Sequence, residues 1–318
     1  MISLAGSEVC MPLKAALHIR PQSIVFATDF SFESERAMRH AAAVARHFGS
    51  TLHMAHIVCS MGLKLVGPEA VAVADDIAIR DLHSFEHKLA IKGLLDGVAH
   101  DCIVRDGEVW PQIRSLIDEL EADMIVIGTH GRRGLGRLLL GSVAEEIIRR
   151  AECPVLTVGP DFTLSGVENT REPHPILLAT DFQPASLQAI PYVASFASER
   201  GVPLILLHVI PLIPHRKNGD WSRSATLADR RHETETAAFE KLNALIPKYS
   251  LGDGQVECVV RCGETAEEIV KLARELNVDA IAMGLHRSEH PEAVTHFRHT
   301  IACDVICHAR CAVLTVRN

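Results

Sequence analysis

The residues best suited to chemistry lie between Met124 and Val158, in the stretch MIVIGTHGRRGLGRLLLGSVAEEIIRRAECPVLTV. An apolar run, Met124 to Ile127, leads into a loop carrying Gly128, Gly131, Gly134, Gly136 and Gly141, and Ser142 follows. Val143 to Arg150 has the pattern of an amphipathic helix, Cys153-Pro154 ends it, and Val155 to Val158 reads as a short buried strand. Glycine suits places where backbone must approach a ligand closely or take a positive φ. A helix N-terminus just beyond presents N–H groups and partial positive charge, a combination that binds phosphate. Ser142 can cap that helix or donate to a phosphate oxygen, and Arg132, Arg133 and Arg137 add cationic charge. A glycine-rich surface turn gives the same glycine count, so spacing has to decide between the two.

The spacing is Gly128-x2-Gly131-x9-Gly141-Ser142, which resembles the nucleotide-binding signature of the universal stress protein family at every motif position. Two other phosphate loops are absent: there is no G-x4-G-K-[ST] and no strand-linked G-x-G-x-x-G. The resemblance implies an α/β fold of the adenine nucleotide alpha hydrolase-like, Rossmann-like kind. In it, each five-stranded parallel sheet is doubly wound with strand order 3-2-1-4-5. It also implies ATP or AMP as ligand, with Mg²⁺ as an optional companion. Carried over by position, Ala27, Thr28 and Asp29 meet adenine and ribose, and Ile57 packs on the base. Gly128, His130 and Gly131 wrap ribose and α-phosphate, Gly141, Ser142 and Val143 hold the outer phosphates, and Ile127 and Arg132 complete the expected binding set. Taken without the resemblance, Asp29 can equally be a helix N-cap and His130 an exposed loop histidine.

The elements that must position these residues follow a regular alternation. Ser23 to Thr28 is a buried strand, and Ser31 caps a helix ended by Gly49. Thr51 to Val58 is a second strand, about 69 to 96 a long helix, His100 to Arg105 a third strand, and Glu108 to Glu121 a helix. The second half repeats this order. IVFATDF at Ile24 returns as ILLATDF at Ile176, and His56 returns as His208, both displaced by 152 residues. RDGE at Arg105 returns as RCGE at Arg261 and Gly128 as Gly284, displaced by 156; VLTV at Val155 returns at Val313, displaced by 158. The offset grows only in loops or at helix ends, as in a duplicated domain. The expected organisation is an N-terminal extension at 1–20, a nucleotide-binding domain at 21–159, a linker at 160–173 and a second domain at 174–318. Alternating strands and helices give parallel sheets, whose ligands bind beyond the strand carboxyl ends where strand order reverses. Asp29 and Gly128 meet at that point. In this family the last strand often pairs with its counterpart, so the two VLTV strands are expected to form a pseudo-dimer within one chain; pairing of whole chains into a homodimer stays open.

The second half departs from the loop pattern. Arg287 stands for the second glycine, His299 for the third, and Pro291 lies between. A β-carbon at both sites hinders close approach to phosphate, so weak or absent nucleotide binding is expected there. The same stretch places His299, Cys303 and Cys307 four residues apart, on one face of a helix. Imidazole and thiolate are zinc ligands, but three such positions spread over about 12 Å of axis, and core cysteines are the commoner outcome. A metal or thiol sensor is thus a subordinate alternative.

Composition narrows the rest. The chain has 318 residues, enough for two domains. Aromatics are only 4%, which argues against a stacking platform for single strands, and a net charge of −8 argues against nucleic-acid backbone as a partner. There is no transmembrane run, and residues 1–20 lack the pattern of a signal peptide. Nine cysteines without a regular framework fit a reducing cytoplasm. Hydrolysis needs a positioned base, usually with a metal, and neither Glu145 nor Glu146 is marked as one. The sequence therefore reads as a stress-response regulator binding an adenine nucleotide, non-catalytic or slowly hydrolysing, with an ATPase or phosphohydrolase as the catalytic alternative.

Overall fold

The computed structural model describes residues 20–60, 65–129, 140–159, 174–211, 224–249, 251, 256–286 and 300–317. The first half runs β1 (Ser23–Ala27), α1 (Phe32–Phe48), β2 (Thr51–Val58), α2 (Pro68–Ile91), β3 (His100–Asp106), α3 (Val109–Glu119), β4 (Met124–Gly128), α4 (Ser142–Arg150) and β5 (Val155–Val158). The second repeats it as β6 (Ile176–Ala179), α5 (Pro184–Arg200), β7 (Leu204–Pro211), α6 (Ser224–Lys248), β8 (Val256–Gly263), α7 (Thr265–Glu275), β9 (Ala280–Leu285), α8 (Ile301–His308) and β10 (Ala312–Arg317). The chain is thus α/β with each half doubly wound, in strand order 3-2-1-4-5. No described helix is long and apolar enough to cross a membrane.

Local sequence accounts for the boundaries. Ser31 accepts from Ser34 N–H at the start of α1, and Gly49, at φ 70°, closes it in the left-handed conformation glycine tolerates. Helix α2 ends at Ile91, short of the expected 96. Gly93 and Gly97 both have positive φ, and the intervening residues form turns. The central strands are apolar along their whole length because helices cover both faces; Ile24, Val25 and Phe26 are fully buried. One apolar core lies beneath α3, α4, α7 and α8 and the other beneath α1, α2, α5 and α6, and each draws side chains from both halves.

The halves join in one ten-stranded sheet, ordered β3-β2-β1-β4-β5-β10-β9-β6-β7-β8. All pairs are parallel except β5 with β10, where Leu156 faces Leu314. Around that pair the contacts repeat symmetrically: Thr157 Oγ1 donates to Val313 O at 3.0 Å, and Thr315 Oγ1 to Val155 O at 3.2 Å. The strands that would have been sheet edges in separate domains therefore satisfy each other. On the α1/α5 side, Phe48 meets Phe196 edge to face at 4.7 Å, and Arg20 donates to Glu199 at 2.6 Å.

Candidate functional site

Both halves build the same turn at the end of their first strand. Thr28 Oγ1 accepts from Phe30 N–H at 3.0 Å, and Asp29 Oδ1 accepts from Ser31 N–H at 3.0 Å. Phe30 is held at φ 62°, a conformation side chains rarely adopt. His56, from the neighbouring β2, donates through Nδ1 to Thr28 O at 2.7 Å and stacks on the Phe30 ring at 4.3 Å. In the second half Thr180, Asp181, Phe182 and His208 repeat these contacts, with His208 Nδ1 to Thr180 O at 2.8 Å and the rings 4.4 Å apart. The histidine and phenylalanine were visible in the sequence only as markers of the repeat. Their role is to lock the strained turn that aims the aspartate.

The first glycine of the loop has a packing explanation. A β-carbon at Gly128 would lie 3.3 to 3.4 Å from the backbone of Glu33 and Ser34, in the first turn of α1. At Gly284 the equivalent atom would lie only 2.1 to 2.3 Å from the backbone of Ala185 and Ser186. At Gly284 helix and strand approach so closely that no side chain fits between them, and at Gly128 the fit is tight. This explains why Gly284 persists where the second half has lost the other motif glycines.

The two last helices begin differently. In α4, Gly141 is the N-cap, at φ −63° and ψ 143°, so it needs no positive φ, and it has no side chain with which to cap the helix. Ser142 is therefore the first helical residue rather than its cap, which corrects one of the two roles open to it. Both Ser142 and Val143 are exposed, and the amides of the first turn have no acceptor within the helix. Gly141 N–H donates to Thr129 O at 2.9 Å, tying this helix start to the end of β4. In α8, Thr300 occupies the place of Ser142 and is the N-cap: its Oγ1 accepts from Cys303 N–H at 3.2 Å. The second helix spends its hydroxyl on itself.

Both aspartates are engaged within the protein, Asp29 by the Ser31 amide and Asp181 by several donors. Asp181 Oδ1 accepts from Ser186 Oγ at 2.7 Å and Gln183 N–H at 3.0 Å, while Oδ2 lies 3.5 Å from His286 Nε2. Burial tends to raise its pKa, but the bonds from Ser186, Gln183 and His286 outweigh burial and hold it below the usual carboxylate range. In the second half the acid is taken up by the protein's own donors.

Of the expected ligand-contacting residues, Ala27 pairs in register with Ile127, and Thr28 N–H donates to Ala55 O on β2, two residues before Ile57. Ala27, Thr28, Asp29, Ile57, Ile127, Gly128, Gly141, Ser142 and Val143 thus gather at the carboxyl ends of β1, β2 and β4. His130, Gly131 and Arg132 lie outside the described residues. Glu145 faces the core, 9% exposed, and Glu146 pairs with Arg150 one turn along the same helix. Cys303 and Cys307 are buried in the core shared by α3, α4, α7 and α8, on a helix that starts only at Ile301. They therefore pack in the interior rather than forming an open ligand face. His299 lies outside the described residues.

Comparison with known proteins fits this architecture. The model of the universal stress protein family matches twice, over residues 21–159 and 173–317. A universal stress protein of Mycolicibacterium smegmatis is 31% identical over 58% of this chain, which spans 63% of that protein's length. One from Mycobacterium tuberculosis is 27% identical over 84% of this chain and 88% of its own. Among solved structures, a universal stress protein from Archaeoglobus fulgidus superposes with a TM-score of 0.67 at 18% identity, covering 95% of this chain and 98% of that one.

Proposed function

The chain belongs to the universal stress protein family, with a stress-response role, and on that premise we propose that its first half alone binds an adenine nucleotide. The ligand lies across the carboxyl ends of β1 and β4. Asp29, with Ala27 and Thr28, is assigned to base and ribose and Ile57 to the base, while the family resemblance assigns Gly128, with His130 and Gly131, to ribose and the first phosphate and adds Ile127 and Arg132 to the binding set. The exposed first turn of α4, at Gly141, Ser142 and Val143, holds the outer phosphates. ATP or AMP is the proposed ligand, and with ATP a Mg²⁺ ion would supply charge that offsets the phosphates.

The observation that carries the reading is the contrast between the two helix starts. A helix start whose N-cap residue has no side chain offers amide donors and dipole charge to a phosphate group, whereas Thr300 already occupies a donor at the other. Regulation by occupancy is favoured over turnover, because Glu145 is turned into the core and Glu146 is paired with Arg150. Release of bound ligand from the purified chain, identified by mass spectrometry, tests the proposal. An adenine nucleotide at up to one per chain is expected; no adenine nucleotide, together with no binding on titration, would refute it. Steady phosphate release from ATP that vanishes in Gly141→Asp would move the reading to an ATPase.

A further inference from the structure

Away from the strand carboxyl ends, at the outer edge of the first half, a second group of side chains has the makings of a metal site. His83 and Glu86 are three residues apart on α2 and so share a face. His100 and Cys102 alternate on the edge strand β3, and so project to the same side of the sheet. Where α2 lies over β3 these pairs converge. Glu86 Oε2 is 3.1 Å from His83 Nδ1, and Oε1 is 3.2 Å from His100 Nε2. The ligand atoms of His83, Glu86 and Cys102 all lie within 4.8 Å of one another.

We propose that His83, Glu86 and Cys102 bind a borderline-soft divalent cation of the Zn²⁺ class, with water as the fourth ligand and His100 positioning Glu86. One thiolate, one imidazole and one carboxylate suit Zn²⁺ and disfavour Mg²⁺ or Ca²⁺, which take oxygen ligands. Bond lengths of 2.0 to 2.3 Å put neighbouring ligands of a tetrahedral ion about 3.3 to 3.8 Å apart, so only small side-chain rotations separate these atoms from that geometry. His100 supplies the outer support such sites use: its Nδ1 donates to Val98 O at 2.8 Å, which fixes the ring, and its Nε2 faces the carboxylate. Binding releases the Cys102 thiol proton to water, and His83, whose Nδ1–H donates to Glu86 in the free chain, ligates through Nδ1 with its proton moved to Nε2. The ion thereby clamps α2 to the edge strand. The site belongs to the first half: the repeat puts Val256 and Cys258 where His100 and Cys102 stand, so one of the two strand groups is lost.

The test uses the full chain, stripped with chelator and titrated with Zn²⁺ against a chromophoric competitor, with Co²⁺ as a spectroscopic stand-in. One tight equivalent is expected, with a thiolate-to-cobalt charge-transfer band. Cys102→Ser removes the band, and both Cys102→Ser and His83→Ala weaken binding at least tenfold. His83 is 63% exposed, so its replacement leaves the fold intact. His100→Gln weakens binding but keeps the band. A Cys303→Ser/Cys307→Ser double variant keeps both band and affinity. A band and affinity indifferent to Cys102→Ser, or lost instead in the Cys303/Cys307 variant, would overturn the assignment.

Discussion

The contrast between the two helix starts yields a prediction with two readouts of opposite sign. Gly141→Asp gives α4 the side-chain cap that α8 already has in Thr300. Gly141 sits at φ −63° and ψ 143°, where any residue is comfortable, so no backbone strain accompanies the change. The new carboxylate is placed to accept from the Ala144 amide, three residues on, as Thr300 accepts from Cys303. Replacing a glycine cap with Asp contributes a few tenths of a kcal/mol, and a negative charge at the helix start adds about 0.3 to 1 kcal/mol, so stability rises by roughly 1 kcal/mol. Nucleotide binding moves the other way. The carboxylate takes a donor the phosphate needs and sets like charge against it. Losing one bond to a charged group costs about 1.5 to 3 kcal/mol, a weakening of roughly ten- to a hundredfold, and like-charge repulsion adds to it. Calorimetric titration with ATP and AMP, beside ligand-free thermal melts, reads both effects. A variant that binds as tightly as the parent refutes the phosphate role of this helix start. One that loses affinity and stability together is a folding defect, which the reasoning does not allow.

Other expectations follow from the packing. Gly284→Ala forces a β-carbon to within 2.1 to 2.3 Å of the Ala185–Ser186 backbone and should cost about 3 kcal/mol or more, whereas Gly128→Ala, at 3.3 to 3.4 Å, should cost roughly 1 kcal/mol; denaturant midpoints reporting equal losses would contradict this ordering. His40 is half-buried on α1, and desolvation, aided by the nearby charges of Arg200 and Arg36, lowers its pKa to about 4. The unfolded chain takes that proton first, so this contribution to stability is intact above about pH 6.5 and falls away towards pH 4, by about 3 kcal/mol in all. His40→Gln should flatten the stability profile across that window, and an unchanged slope would rule the residue out. Thr157→Val and Thr315→Val each remove one hydroxyl bond across the β5–β10 seam and should each cost about 1 kcal/mol in chemical unfolding; a loss at one position alone would break the pseudo-symmetry.

Much of this was legible in the sequence because it was written twice. The ATDF and VLTV repeats marked strand ends and the seam, and continuous apolar strands between amphipathic helices fixed a parallel sheet covered on both faces. Ser31 and Gly49 marked both ends of α1 by their chemistry alone. Other features depend on spatial neighbours that a one-dimensional pattern does not list. Gly128 read as a ligand-facing glycine, yet the backbone of α1 already demands it. Ser142 and Thr300 carry equivalent hydroxyls, but only the helix starts show that one caps and the other does not. The group at His83, Glu86, His100 and Cys102 comes from a helix and an edge strand brought together by packing, and its spacing matches no short motif. His56 and His208 stood in register without a stated role until their rings were found on Phe30 and Phe182.

The central claim, one adenine nucleotide held by the first half, is tested most directly by equilibrium titration of the full chain and of Gly141→Asp and Thr300→Ala. The account predicts a single site in the parent, weakened in Gly141→Asp and untouched in Thr300→Ala. Two equivalent sites per chain, or binding that survives Gly141→Asp and disappears with Thr300→Ala, would contradict it.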